Sequence, residues 1–175
     1  MSTPVITGLG PVSAIGIGIE EFRAALRAGE SGITPLDSVP AAGLPFREAG
    51  EIKDFHVEPY LKSPKAYLDR TSEFTLAAVA LALQDAALDL AQVDRTRVAL
   101  LLGSAYGALA SMRLFYGGVL EKGPRFAQPM LFPHTYPNTA ISLTAIEFGI
   151  QGEHVAFASG RQSSGRALAL ALDLI

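Results

Sequence analysis

The chain has 175 residues, a formal net charge of −3 and a pI near 5.6. Its length suits one domain, and its acidic balance argues against a nucleic-acid partner, which calls for a basic patch. It contains no Cys, which excludes a disulfide framework and a zinc–thiolate site.

Nearly half of the residues, 49%, are hydrophobic, and the mean hydropathy is +0.30. No run is long enough and free enough of charge to span a bilayer, so no membrane association is expected. The surplus apolar surface calls for a partner or further polypeptide to cover it. Met1-Ser2-Thr3-Pro4 lacks the basic stretch of a signal peptide, and the expected location is cytoplasmic.

Taken in order, residues 4–7 predict a short apolar strand closed by Gly8-Leu9-Gly10. These glycines are not a dinucleotide fingerprint, because the third glycine position is Ser13. Glu20 and Glu21 open a helix in which Phe22, Ala25 and Leu26 form one buried stripe, and Gly29 ends it. Residues 30–68 are broken by Pro35, Pro40, Pro45, Pro59 and Pro64 into a structured surface excursion, with a strand near an edge over residues 49–52.

Residues 71–88 predict a helix capped by Thr71 or Ser72 and apolar on almost every side, as in a helix sandwiched between layers. Residues 98–102 read as a central strand covered on both faces, with Gly103 turning the chain away. Residues 107–120 predict a helix whose Leu109, Met112, Phe115 and Tyr116 recur at helical spacing, a pattern that core packing explains. Residues 132–137 form a rigid loop in which His134 reads as a hydrogen-bonder rather than a base. Asn138 then N-caps a helix containing Ile141, Leu143, Ala145, Ile146 and Phe148. Short apolar strands alternating with helices define an α/β fold with helices on both sides of a sheet.

The chain is organised around residues 152–175. An apolar strand (Val155, Ala156, Phe157, Ala158) leads into a polar turn. A helix follows, so apolar from Ala167 to Leu172 that it is expected inside the protein. A side chain at such a turn sits at a helix N-terminus, where free N–H groups and the helix dipole favour negative charge. A Cys there has a lowered pKa and is a good nucleophile, but Gln162 occupies the place. An amide nitrogen is not basic and accepts no acyl group near neutral pH. Gln is also a poor N-cap, so Ser163 or Ser164 serves that role better. The amide is suited to holding a buried turn together or to orienting a malonyl group. Neither serine has a base in reach, and no Gly-x-Ser-x-Gly motif is present here.

The turn resembles the nucleophile region of β-ketoacyl synthases, thiolase-fold condensing enzymes whose usual pattern is Thr-Ala-Cys-Ser/Thr-Ser-Gly after a short strand. Here it reads Gly160-Arg161-Gln162-Ser163-Ser164-Gly165. The resemblance covers nearly the whole chain. It includes Val5-Ile6-Thr7-Gly8-Leu9-Gly10, Ser31-Gly32-Ile33 with Leu36-Asp37, Leu68-Asp69-Arg70 and Leu102-Gly103-Ser104. It continues through Phe132-Pro133, Pro137-Asn138-Thr139-Ala140 and Phe148-Gly149-Ile150-Gln151-Gly152. It implies the N-terminal half of a thiolase-like fold over residues 1–175, a mixed sheet with helices on both faces. The C-terminal half, which carries the two family His residues, is absent from this chain, and a partner chain is expected to supply it. His56, His134 and His154 lie in no matching motif.

A Gln at the Cys position resembles the chain-length factor, or ketosynthase β subunit, of a type II polyketide synthase. This implies a non-catalytic subunit in a heterodimer with an active Cys-bearing ketosynthase. Leu114, Phe115 and Tyr116 then become candidates for the closed end of the polyketide tunnel. The strand Val155, Ala156, Phe157, Ala158 is the one expected to pair across the dimer axis. Substrates would be acyl groups on the phosphopantetheine of an acyl carrier protein, with no cofactor and no metal bound by this chain. Gln is also found in decarboxylating loading synthases, which make acetyl primer from a malonyl-carrier thioester. Arg161 departs from the small residue usual before that Gln. A pseudo-enzyme scaffold is the third reading.

Overall fold

A computed structural model describes residues 3–40 and 42–175; Met1, Ser2 and Ala41 lie outside the described residues. In order, the elements are β1 (Val12–Ser13), β2 (Gly16–Ile17), α1 (Ile19–Ala28), β3 (Thr34–Pro35), β4 (Glu48–Ala49), α2 (Arg70–Asp85), β5 (Leu100–Gly103), α3 (Leu109–Lys122), α4 (Thr139–Phe148), β6 (His154–Phe157) and α5 (Ser163–Leu174), joined by loops and short 3₁₀ turns. Strands and helices are interspersed in an α/β arrangement that mixes parallel and antiparallel pairing. The described residues divide into a larger unit (residues 3–5, 61–76 and 89–175) and a smaller one (residues 6–40, 42–60 and 77–88).

In the larger unit β5 and β6 run parallel, with Leu100 opposite His154 and Gly103 opposite Phe157. Parallel neighbours need a long crossover, and this one contains α3 and α4. Both α4 and α5 pack on β5. The strand expected over residues 98–102 begins two residues later, because residues 95–97 form a 3₁₀ turn. That turn is capped by Asp94, whose carboxylate accepts the Thr96 N–H at 3.0 Å and its hydroxyl at 2.6 Å. Leu100, Leu101 and Leu102 are only half-buried, since β5 is paired along one edge among the described residues.

The cap of α2 is neither Thr71 nor Ser72. Asp69 Oδ1 accepts the Ser72 N–H at 2.8 Å, a charged acceptor placed where free amides and the helix dipole favour it. Thr71 instead donates its hydroxyl to the Gly107 carbonyl at 2.9 Å. Within α2, Leu76 and Ala77 are fully buried, but residues 78–83 are only half-buried, so the helix is not enclosed all round as its composition suggested.

The first residue of α4 follows Asn138, as expected, but the Asn138 side chain makes no capping bond. Gly149, at φ +68°, closes the helix in the left-handed conformation that glycine adopts freely. Near that end a buried charge pair ties in the segment before α2. Glu147, whose side chain is 2% exposed, accepts the Lys62 N–H and pairs with the Lys65 ammonium. Burial alone would raise the Glu147 pKa. The hydrogen bonds from Lys65 and Lys62, with the charge of both lysines, outweigh it and hold the carboxyl below its ordinary range.

No strand forms over residues 4–7; Ile6, where the smaller unit begins, is 80% exposed, and the apolar run has no ladder partner among the described residues. A two-residue strand needs a neighbour, and the first hairpin lies further on, with Val12 opposite Ile17. Gly8 and Gly10 serve close approach instead. A Cβ on Gly10 would fall 2.0 Å from the Ala78 carbonyl oxygen, and one on Gly8 would fall 2.4 Å from that of Ala82. The stripe expected on α1 shrinks to buried Ala25 and half-buried Phe22, with Leu26 exposed.

The edge strand expected over residues 49–52 is Glu48–Ala49, antiparallel to Thr34–Pro35. Beyond it Glu51 accepts the N–H groups of Asp37 at 3.0 Å and Ser38 at 3.1 Å. Hydrogen bonds from Ser38 and Asp37 lower its pKa to about 2.

Candidate functional site

The candidate site begins where β6 ends. Val155, Ala156 and Phe157 lie in β6, while Ala158 falls just after it. The ladder closes with the Ser104 N–H donated to the Phe157 carbonyl at 2.9 Å. The chain then turns through a 3₁₀ segment, Gly160–Gln162, and enters α5 at Ser163. Gly160 has φ +79°, a left-handed conformation that suits glycine. The result is the strand, sharp turn and helix that the sequence implied.

Gln162 occupies the N-cap position of α5 at φ −94°, ψ 0°, with its side chain exposed and without a capping bond. It makes no side-chain hydrogen bond among the described residues, so it does not hold the turn together. Ser163 does that work. Its hydroxyl is buried, accepts the Ser159 N–H at 2.9 Å and donates to the Gly160 carbonyl at 2.8 Å. Ser164 is exposed, as are Arg161 and Arg166.

The structure therefore brings Gln162, Ser163 and Ser164 together at the start of α5, with the Gln162 side chain exposed. Gln162 can donate and accept hydrogen bonds there, and it has no capacity to take an acyl group. The helix behind the turn is not wholly internal. Ala167 is buried, but Leu168 is 61% exposed and Leu172 is also exposed. The leucines alternate with alanines, a spacing that sends them to more than one side of a 3.6-residue helix.

The second group of candidates lies on α3. Leu114 is 62% exposed, Tyr116 is 49% exposed and Phe115 is half-buried. Core packing does not account for this helix, since Leu109 and Met112 are exposed too. The rings connect in a chain. Phe115 meets Tyr116 edge-on at 5.3 Å and Phe132 at 5.5 Å, and Phe132 meets Tyr136 edge-on at 5.4 Å. Phe132 and Tyr136 were not singled out from the sequence. Their spacing of four residues around Pro133 was the available signal.

Their loop is held by the Thr135 hydroxyl on the Phe132 carbonyl at 2.7 Å and the Thr139 hydroxyl on the Pro133 carbonyl at 2.9 Å. His134 makes no side-chain hydrogen bond among the described residues, contrary to its reading as a loop hydrogen-bonder. Its Nδ1 is buried without a partner, and its ring lies 5.7 Å from that of Tyr67. No hydrogen bond or ring contact joins the Gln162 turn to the α3 aromatics among the described residues.

With this geometry established, the family is clear. The profile of the β-ketoacyl synthase N-terminal domain matches residues 2–175, and the chain belongs to that family. It is 31% identical over 156 residues to 3-oxoacyl-[acyl-carrier-protein] synthase 2 of Vibrio harveyi, covering 89% of this chain and 38% of that protein. The synthase of the same name from Synechocystis is 31% identical over 171 residues, covering 95% of this chain and 41% of that protein.

Among solved structures, the chain resembles the ishigamide ketosynthase/chain length factor with a TM-score of 0.81 and 26% identity. The match covers 97% of this chain and 44% of that one. The fold is thiolase-like, and the chain spans about two fifths of the length of the curated relatives it matches. No helix among the described residues is long and apolar enough to cross a membrane.

Proposed function

We propose that this chain is a non-catalytic, chain-length-factor-like part of a type II polyketide or fatty-acid-like synthase. It pairs with a Cys-bearing ketosynthase in a cytoplasmic heterodimer and shapes the tunnel into which that partner extends its acyl chain. The observation that carries this reading is Gln162, an exposed amide at the helix N-terminus where the family places its acyl-accepting thiol. The likeness to the ishigamide ketosynthase/chain length factor supports it.

In this reading residues 1–175 are one half of the thiolase fold, and a chain supplying the C-terminal half completes it. The strand β6 offers its free edge to the partner. Leu114, Phe115 and Tyr116 wall the tunnel. Acyl groups arrive on the phosphopantetheine of an acyl carrier protein, the carrier for which the curated relatives are named. This chain holds no cofactor or metal of its own.

The test is turnover of the assembled synthase on labelled malonyl-carrier protein, followed by mass spectrometry of each polypeptide. Acyl groups are expected on the partner alone, and an acyl adduct on this chain would sink the reading. Phe115→Ala and Leu114→Ala are expected to change product length while synthesis continues; unchanged lengths in both would remove the tunnel assignment.

A decarboxylating role is the second reading. The free amide of Gln162 favours it, because nothing in the turn competes for that amide's hydrogen bonds. Arg161 stands against it, because loading synthases keep small residues at that position. Loss of CO₂ release from malonyl-carrier protein in Gln162→Ala would favour this role over the first.

A further inference from the structure

We infer that Gly103 and Ser163 are positioning residues that together fix where the side chain of residue 162 leaves the backbone. Gly103 ends β5, and its φ is outside the left-handed region, so conformational freedom is not what glycine supplies here. What it supplies is space. A Cβ at this position would lie 2.4 Å from both the N and the Cα of Ser164 and 2.5 Å from the carbonyl carbon of Ser163. All three are backbone atoms of the first turn of α5, which cannot swing aside as a flexible side chain can. Any larger residue at 103 must push that turn away from the strand.

From the other side, the buried Ser163 hydroxyl ties the start of α5 to the Ser159 N–H and the Gly160 carbonyl. The backbone carrying residue 162 is thus clamped between a strand end without a side chain and a hydroxyl bridge. Gln162 adds no bond of its own. Its direction is set by these two neighbours. The inference rests on the reading that residue 162 stands at the working end of this turn.

The test uses the full chain, co-produced with its partner and carrying Gln162→Cys as a reporter. An introduced thiol at a helix N-terminus titrates below an ordinary cysteine. Iodoacetamide therefore alkylates it readily at pH 7: the thiolate displaces iodide, a C–S bond forms and the C–I bond breaks. Peptide mass spectrometry reads the rate against pH. Adding Ser163→Ala or Gly103→Ala is expected to lower the rate at pH 7 about tenfold and to move the pH midpoint toward that of an ordinary thiol.

Unchanged midpoints in both variants would overturn the inference, as would an ordinary thiol profile in the reporter itself. A lowered melting temperature with an unmoved midpoint would mark a merely structural role and also count against it. If Gly103→Ala fails to fold, Ser163→Ala decides alone. The readout needs no polyketide synthesis, so a negative result leaves the proposed function standing. Acylation of the natural chain would sink that function without touching the thiol profile.

Discussion

The turn over residues 159–163 and the aromatic face of α3 belong to the same unit, yet they are held in opposite ways. The turn is fixed by directional bonds to a buried hydroxyl and by a backbone-to-backbone approach that no side chain interrupts. The rings of Phe115 and Tyr116 on α3 and of Phe132 and Tyr136 in the following loop meet at 5.3 to 5.5 Å while much of their surface stays open. Hydrogen bonds specify one geometry and leave costly unpaired groups when broken. Half-open apolar contacts change in size with little penalty. The first arrangement suits a position that must not move. The second suits a wall whose depth is adjustable, which is what the proposed division of labour requires.

If buried polar ties are what resist change in this unit, the largest effect comes from the strongest of them. Glu147→Ala strands the Lys65 ammonium and the Lys62 N–H, and urea denaturation is expected to lose about 3 kcal/mol. The pH dependence has a definite sign. The folded pKa of Glu147 lies below its ordinary value of 4.5, so its contribution is complete above that value and fades as pH falls through the folded pKa. The difference between the natural chain and Glu147→Gln should therefore be greatest at neutral pH and shrink under acid. A constant difference down to acid pH would mean that the carboxylate charge is not what holds residues 62–65.

The α3 face should respond more mildly. Phe115→Ala removes a half-buried ring with two ring partners, and a loss of about 1 kcal/mol is expected, below the 3–5 kcal/mol typical of a fully enclosed Phe. A loss as large as that of Glu147→Ala would erase the contrast between the two regions and return Phe115 to the core.

Local signals made much of this legible in the sequence. Gly29 closes its helix where the pattern placed it, and the turn at Gly160–Gln162 follows an apolar strand as read. What escaped were facts set by distant residues. The Lys62–Glu147 bond spans 85 positions, and no periodicity announces it. Asp69 outranks two neighbouring hydroxyls as the cap of α2 because its side chain is charged and buried. Apolar spacing along α1, α3 and α5 tells which residues share a face, and only packing tells whether anything covers that face.

The smallest effect is the most informative about Gln162. If the amide held the turn, removing it would strand buried partners and cost about 1–3 kcal/mol. The amide is exposed and unbonded, and Ser163 carries the hydrogen bonds that an amide at this bend was expected to make. Gln162→Ala should therefore change stability by less than about 0.5 kcal/mol, the range of ordinary surface substitutions. Ser163→Ala, one residue away, should cost clearly more, because the Ser159 N–H loses its partner and the Gly160 carbonyl keeps only the Ser163 N–H. Paired thermal melts of the two variants read this directly. Equal losses would mean that the turn is held through residue 162 after all. The predicted inequality leaves the amide without a structural duty, so that its presence at the bend has to be explained by what it does, or declines to do, to an acyl group.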